Sequence, residues 1–257
     1  LGALSETSAA ALTTTQIASL SAGQIAQLNA TSLSAFDATQ MGSLSATQAR
    51  GLTTTQLTGL SATDFGELTA TQIGSLTTTQ FRTLDATKIS ALDATQSAGL
   101  TTTQILSLTA TQIGGLDATD VGDLTTTQIA AFTPAQIGQF SETSLSAFNA
   151  TQMGALSAAQ VRGITTTQIA ALQAADIEEF TTTHIASLTA TQVSAFTTTN
   201  IVALNTTQLG AFSATQIGLL NATNLSALDA AQMGSLTATQ VRGLTATQLT
   251  NLSATDL

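Results

Sequence analysis

The chain has 257 residues and a net charge of −10, with five Lys or Arg and only 8% charged residues. This balance argues against nucleic acid and anionic membranes as partners, because both are bound through basic patches. The absence of cysteine excludes disulfides and thiolate metal sites. No apolar run reaches the length of a transmembrane helix.

One eight-residue pattern, Thr-Thr-Thr-Gln-Ile-Ala-Ala-Leu, runs through the chain without insertion or deletion. Its eighth position is Leu, Phe or Ile in all 32 copies between Leu4 and Leu252. Its first position is Ser, Thr, Asn or Asp in 31 copies, its fourth is Gln in 21, and its fifth is almost always large and apolar. We therefore predict one continuous array of about 32 repeats over residues 1–257, without linkers.

Each octad carries the signals of a helix start. Ser, Thr, Asn and Asp are preferred N-cap residues, and a Gln three residues later can close a capping box. The apolar residues on either side of this box form a hydrophobic staple. Pro134 falls at the first helical position, where a missing N–H costs least. Representative cap and staple residues are Leu124, Thr125, Gln128, Ile129, Phe132, Thr133, Pro134, Gln136 and Ile137.

These signals predict an all-α solenoid with one very short capped helix per octad. An unbroken α-helix would advance the apolar stripe by about 80° per octad, which no packed seam tolerates. An unbroken strand would place the fifth and eighth positions on opposite faces. Recurrences of Phe, and of a Met–Arg stretch, at multiples of sixteen residues favour two octads per coil. A β-solenoid is the alternative fold, because Thr and small residues also suit tightly wound strands.

Two other positions are regular. Thr fills the third position in 27 of 32 copies, and we expect its hydroxyl to bond to a neighbouring coil or to form a regular outward array. Glycine is concentrated at the sixth and seventh positions, where small residues would let the helix end turn sharply and let coils approach one another.

Candidate sites are few. Oxygen-rich clusters could hold Ca²⁺, but their spacing follows from the cap and capping-box positions, so we expect solvated acids and no metal. His184, the single histidine, replaces Gln in a capping box. No nucleophile, phosphate loop or paired-acid arrangement is recognisable, so we expect neither an enzyme nor a cofactor. The two clusters are Asp117, Asp120 and Asp123, and Asp176, Glu178 and Glu179.

The string Leu-Thr-Thr-Thr-Gln-Ile at Leu124–Ile129 resembles the octapeptide tracts of very large secreted or surface proteins of proteobacteria, which are adhesin-like. This resemblance implies export and a stalk, fibre or adhesive role. We therefore expect a structural spacer or fibre segment at the bacterial cell surface, taken from a longer chain, with copies of itself or flanking segments as partners. The alternative is a binding module whose regular Thr-rich face contacts ice.

Overall fold

The computed structural model describes residues 1–252 and builds them from short α-helices, with no strand in that range. The prediction of an all-α repeat solenoid with one helix per octad is thereby confirmed. The helices are α1 Glu6–Ala10, α2 Thr14–Ser19, α3 Ala22–Ile25, α4 Ala30–Ser34, α5 Ala38–Gly42, α6 Ala46–Arg50, α7 Thr54–Gly59, α8 Ala62–Gly66, α9 Ala70–Ser75, α10 Thr78–Arg82, α11 Ala86–Ser90, α12 Ala94–Ala98, α13 Thr102–Ser107, α14 Ala110–Gly114, α15 Ala118–Gly122, α16 Thr126–Ala131, α17 Pro134–Ile137, α18 Glu142–Leu145, α19 Ala150–Gly154, α20 Ala158–Val161, α21 Thr166–Ala171, α22 Ala174–Glu178, α23 Thr182–Ser187, α24 Ala190–Ser194, α25 Thr198–Val202, α26 Thr206–Gly210, α27 Ala214–Leu219, α28 Ala222–Ser226, α29 Ala230–Gly234, α30 Ala238–Val241 and α31 Ala246–Asn251.

The octad beginning at Thr53 shows how each helix starts and stops. Thr53 is extended (φ −77°, ψ 156°), and its hydroxyl oxygen accepts from the Gln56 N–H at 3.1 Å. Gln56 Oε1 in turn accepts from the Thr53 N–H at 2.7 Å, which closes the capping box. The chain becomes extended again at Leu60 (φ −63°, ψ 144°), so the helix ends and the next cap follows at once.

The predicted cap residues near the middle of the chain make the same contacts. The Thr125 N–H donates to Gln128 Oε1 at 2.8 Å, and the Gln128 N–H donates to the Thr125 hydroxyl oxygen at 3.3 Å. Thr133 and Gln136 form the equivalent box, with Pro134 as the first helical residue. The apolar residues that flank both boxes are buried, namely Leu124, Ile129, Phe132 and Ile137.

The coil contains three octads, so the prediction of two octads and sixteen residues was wrong. The helices that pack closely lie three apart in the chain: α1 with α4, α3 with α6, α17 with α20, and α28 with α31. The bonds that fourth-position glutamines make to another coil span 28 to 31 residues, as expected for coils of 24 residues and not of 16. The sixteen-residue rhythm therefore reflects similarity between stretches of sequence and not the geometry of a turn.

The core of the interior coils is made by the fifth and eighth positions of their three octads. Fifth-position residues such as Ile105 and Ile201 are fully buried, and eighth-position residues such as Leu204 are nearly so. The phenylalanines show how consecutive octads share one core. The rings of Phe132 and Phe140 lie 5.1 Å apart, and those of Phe140 and Phe148 lie 5.4 Å apart, both edge to face.

The chain divides into two compact units, Leu1–Ala131 and Phe132–Leu257. The boundary falls between the seventh and eighth positions of one octad, and the octad register of the sequence runs through it. In the described part of each unit the same helices, capping boxes and bonds between coils recur. The prediction of a single continuous array over residues 1–257 stays a prediction.

Some glycines, such as Gly163 and Gly243, allow close approach between coils. No described residue has a positive φ, so the expected sharp turn at helix ends does not use the left-handed conformation. Gly163 lies against the backbone of Pro134, and a Cβ at Gly163 would collide with the Pro134 carbonyl. Gly243 lies in the same way against Ala214.

Candidate functional site: the buried fourth position and the threonine surface

The fourth-position glutamine binds two coils together as well as capping its own helix. Gln104 is 1% exposed, and its Oε1 accepts from the Thr101 N–H at 2.9 Å and from the Thr101 hydroxyl at 3.0 Å. Its Nε2 donates to the carbonyls of Ile73 at 2.7 Å and Leu76 at 3.1 Å, in the preceding coil. One side chain therefore uses both ends of its amide.

The Leu76 carbonyl depends on this bond. Leu76 precedes the cap of α10, and no main-chain N–H in the described residues donates to its oxygen. The Ile73 carbonyl, in contrast, also accepts from the Leu76 N–H at 3.1 Å. Since an unpaired buried carbonyl is costly, the glutamine supplies the donor that the helix geometry cannot supply.

This second role of Gln could not be seen from a single octad. The capping box explains why an acceptor is needed at the fourth position, and Glu would also serve there. Gln has an amide N–H in addition to the acceptor oxygen, so it can also donate to the carbonyls of the preceding coil, which an ionised Glu cannot do. The uniform preference for Gln over Glu was the available signal.

His184 reproduces both functions of Gln. Its Nδ1 accepts from the Thr181 N–H at 3.3 Å, and its Nε2 lies 2.8 Å from the Leu156 carbonyl. This arrangement requires a neutral ring with the proton on Nε2. Burial lowers the pKa of His184 below its ordinary value, and the bond to the Leu156 carbonyl opposes that shift. The Phe180 ring packs edge to face against it at 5.8 Å.

Compared with the consensus Gln, Lys88 has a side-chain donor but no side-chain acceptor for the cap N–H. It is 5% exposed, and its Nζ donates to the Asp85 carboxylate at 2.6 Å and to the Thr58 carbonyl of the preceding coil at 3.4 Å. The bonds from Lys88 lower the pKa of the Asp85 carboxyl. Lys88 therefore replaces Gln as a donor to the preceding coil, with Asp85 as the acceptor of its second hydrogen bond.

Compared with the consensus Gln, Asp120 and Asp176 have a side-chain oxygen that accepts from the cap N–H, but no side-chain N–H to donate to the preceding coil. Asp120 Oδ2 accepts from the Asp117 N–H at 2.8 Å and from the Ser90 hydroxyl at 2.6 Å. Asp176 Oδ2 accepts from a cap N–H and from the Ser146 hydroxyl, both at 2.7 Å. Burial raises the pKa of the Asp120 carboxyl, and the hydrogen bonds from Ser90 and Asp117 oppose the rise.

The members of the two acidic clusters occupy different positions of the octad: the cap, the capping box, and the sixth and seventh positions. Asp117 is a cap residue whose Oδ1 accepts from the Thr119 and Asp120 N–H groups. Glu179 is half-buried, with burial and the Asp176 charge raising its pKa. No group of three or more His or acidic residues within residues 1–252 is arranged to hold a metal ion.

The third-position threonines form an outward array. All of them are exposed from Thr7 to Thr247, the last in the described range. None of their hydroxyls bonds to a neighbouring coil in the part of the chain that the structure describes, so the predicted ladder between coils was wrong. The array is nevertheless uniform in residue type. Neither capping nor packing accounts for that uniformity.

One open depression among the described residues lies between α28 and α31, where Ala222, Thr223, Ser226, Ala227 and Asn251 line the surface. None of the described helices has the length and apolar character needed to cross a bilayer.

Comparison with known families gives one match. Residues 169–206, which include α22 to α25, match the family model described as the ALTTAQ repeat. No curated protein sequence matches the chain significantly. Over that stretch the chain is thus similar to a repeat family whose name repeats the leucine, threonine and glutamine pattern of the octad.

Proposed function

We propose that the chain is a structural, non-catalytic spacer or fibre segment of an extracellular or cell-surface bacterial repeat protein. The observation that carries this proposal is the recurrence of one bonding pattern in coil after coil. Gln48, Gln104 and Gln208 each bond to the carbonyl of the apolar residue 28 positions earlier. Such a chain can be lengthened by adding whole coils of three octads, which repeat the same bonds.

The expected partners are copies of the same repeat or flanking segments of the same chain, and two exposed surfaces support this part of the proposal. Val241 and Leu249 occupy the fifth position and are 47% and 52% exposed, whereas Ile217 at the same position is fully buried. In the first coil Gln16 and Gln24 are exposed. A further octad stacked on either surface, from another copy or from a flanking segment, would contact the side chains that are buried in interior coils.

Self-assembly is tested by negative-stain microscopy and analytical ultracentrifugation over a range of concentrations. Filaments or a concentration-dependent rise in mass support assembly. A Val241→Asp, Leu249→Asp double variant is expected to shift that rise to higher concentration. Thr199→Asp, on an exposed third position, is the matched control for added charge. A chain that stays monomeric at all concentrations contradicts the self-assembly part.

A second candidate function is binding to a flat, repetitive surface such as ice. The specific observation is that Thr is retained at an exposed position where neither a capping bond nor a bond between coils requires it. Alanine is the better helix former, so helix stability alone does not favour Thr there. Thermal hysteresis or ice shaping by the purified chain supports this function, and the absence of both contradicts it.

A further inference from the structure

The identity of the sixth-position residue correlates with that of the fourth-position residue thirty residues later. From Ser34 to Ser226, each Ser or Thr at the sixth position is followed at that distance by a residue other than the consensus Gln. The residues that follow these hydroxyls at that distance are Asp, Lys or Asn, and never Gln. None of the 21 fourth-position glutamines has Ser or Thr thirty residues before it. The pairs are Ser34 with Asp64, Thr58 with Lys88, Ser90 with Asp120, Ser146 with Asp176, Ser194 with Asn224, and Ser226 with Asp256.

The three-octad coil explains the spacing of thirty residues. A sixth-position residue faces the fourth-position residue of the next coil, and the Ser90–Asp120 and Ser146–Asp176 bonds show this directly. Asp64, near the start of the chain, is half-buried and makes no direct bond with Ser34 within the described range. Asp256 lies outside the described residues.

The serine compensates for what aspartate lacks. An ionised carboxylate can only accept hydrogen bonds, so Asp120 cannot donate to the carbonyls of the preceding coil as Gln does. Asp120 is 7% exposed, and the only donor from its own octad to its Oδ2 among the described hydrogen bonds is the Asp117 N–H, so a second donor from the preceding coil offsets its burial. The Ser90 hydroxyl provides that donor. The Leu92 carbonyl, 28 residues before Asp120, has no Gln amide facing it, so the pair is a less complete solution than the consensus Gln.

We propose that the Ser–Asp pairs are register markers, which fix the coil on which each coil stacks. Consensus octads are interchangeable, so a coil built only from them could stack on the wrong neighbour during folding, and misassembly is a known failure of repeat chains. In most other registers a buried Asp meets Ala, Gly or another residue without a hydroxyl, so it keeps the bond from its own cap N–H but loses the donor from the neighbouring coil. A polar group that costs stability but fixes register has this role in coiled coils.

The test moves the pair out of register by inserting one consensus octad, Thr-Thr-Thr-Gln-Ile-Ala-Ala-Leu, after Leu156 in the full chain. Gly154 then stands thirty residues before Asp176 in place of Ser146. The matched control inserts the same octad after Leu188, which leaves both the Ser146–Asp176 and Ser194–Asn224 spacings unchanged. Amide hydrogen exchange is measured at Ile177, whose N–H donates to the Gln173 carbonyl, and in the inserted octad.

The insertion after Leu156 is expected to lower protection roughly tenfold to hundredfold, as for a lost hydrogen bond to a charged group. Protection is lost at Ile177 if the chain adopts the new register. Protection is low in the inserted octad instead if that octad loops out and the Ser146–Asp176 bond is kept. The control is expected to keep protection at both places. Full protection at both places in the first variant overturns the proposal.

A rescue variant separates register from general disruption. Gly154→Ser, combined with the insertion after Leu156, places a hydroxyl at the new matching position, and a Cβ at Gly154 meets no atom within 4 Å. Protection is expected to return to the control level at both places. If the first insertion unfolds the protein, recovery of folding by Gly154→Ser is the corresponding readout. Failure of this substitution to restore protection contradicts the pairing rule.

Discussion

Replacing Gln104 with Met separates the bond between coils from the capping box. Gln16 is the matched control, because Thr13–Ile17 and Thr101–Ile105 have the same sequence, while Gln16 is exposed and makes only the local capping contacts. Met retains the length of the side chain and removes both the acceptor and the donor. The two variants therefore lose the same capping box, but only Gln104→Met loses bonds to another coil.

The expected magnitudes follow from the partners that remain. Loss of a capping interaction costs about 1 kcal/mol. In Gln104→Met the Leu76 carbonyl is also left unpaired, at about 1–3 kcal/mol, whereas the Ile73 carbonyl keeps its main-chain donor. We expect a local destabilisation of about 2–4 kcal/mol for Gln104→Met and about 1 kcal/mol for Gln16→Met.

Native-state hydrogen exchange measures both costs at the amides of the fifth-position residues, Ile105 and Ile17. Each of these N–H groups donates to the carbonyl of its cap residue, so each reports on its own helix. Equal costs for the two variants would refute the assignment of Gln as a bond between coils.

Three further predictions concern other positions. The pKa of His184 is lowered in the folded protein, so below about pH 6.5 the unfolded chain takes up a proton at this residue more readily than the folded one, and the native protein loses stability. His184→Gln should remove this loss. Urea unfolding of the native protein and the variant at a series of pH values measures the difference. Gly163→Ala should destabilise by about 1–3 kcal/mol or more through collision with Pro134, whereas Gly154→Ala should be neutral or stabilise by up to about 1 kcal/mol; equal melting temperatures would contradict this. Thr133→Ala should cost about 1 kcal/mol in the same melting assay, and an unchanged melting temperature would count against its role as a cap.

The local structure of the chain could be predicted because every relevant signal lies within eight residues. The N-cap at Thr53 and the capping-box Gln56 interact over three residues, and the extended conformation at Leu60 follows from the next cap. Pro134 at the first helical position agrees with the same register. Short-range chemistry of this kind can be predicted from one octad.

The number of octads per coil could not be predicted in the same way, because it depends on contacts 24 to 31 residues apart. A periodicity of sixteen in Phe and in the Met–Arg stretches looked like a coil period, yet the structure has three octads per coil. The informative long-range signal was the match between Ser90 and Asp120 and between Ser146 and Asp176. It becomes visible once the coil length is known.

The third-position threonines show a different limit. Their uniformity indicated a constraint, and bonding between coils was the nearest structural explanation. The structure places them outward instead, so bonding between coils does not explain their uniformity. The residues next to a third-position Thr, such as Ala70 and Gln72 beside Thr71, do not show whether its hydroxyl is buried or exposed.

The three-octad coil is tested most directly by spin labels on cysteines introduced at exposed third positions, since the chain has no cysteine of its own. Thr71 and Thr95 lie on α9 and α12, which pack together, so their backbones should be about 8–10 Å apart. Thr79 and Thr95 are sixteen residues apart and belong to different sides of the coil. Strong dipolar broadening is expected for the Thr71→Cys, Thr95→Cys pair and much weaker broadening for the Thr79→Cys, Thr95→Cys pair. The reverse result would contradict the coil described here and the bonds between coils that depend on it.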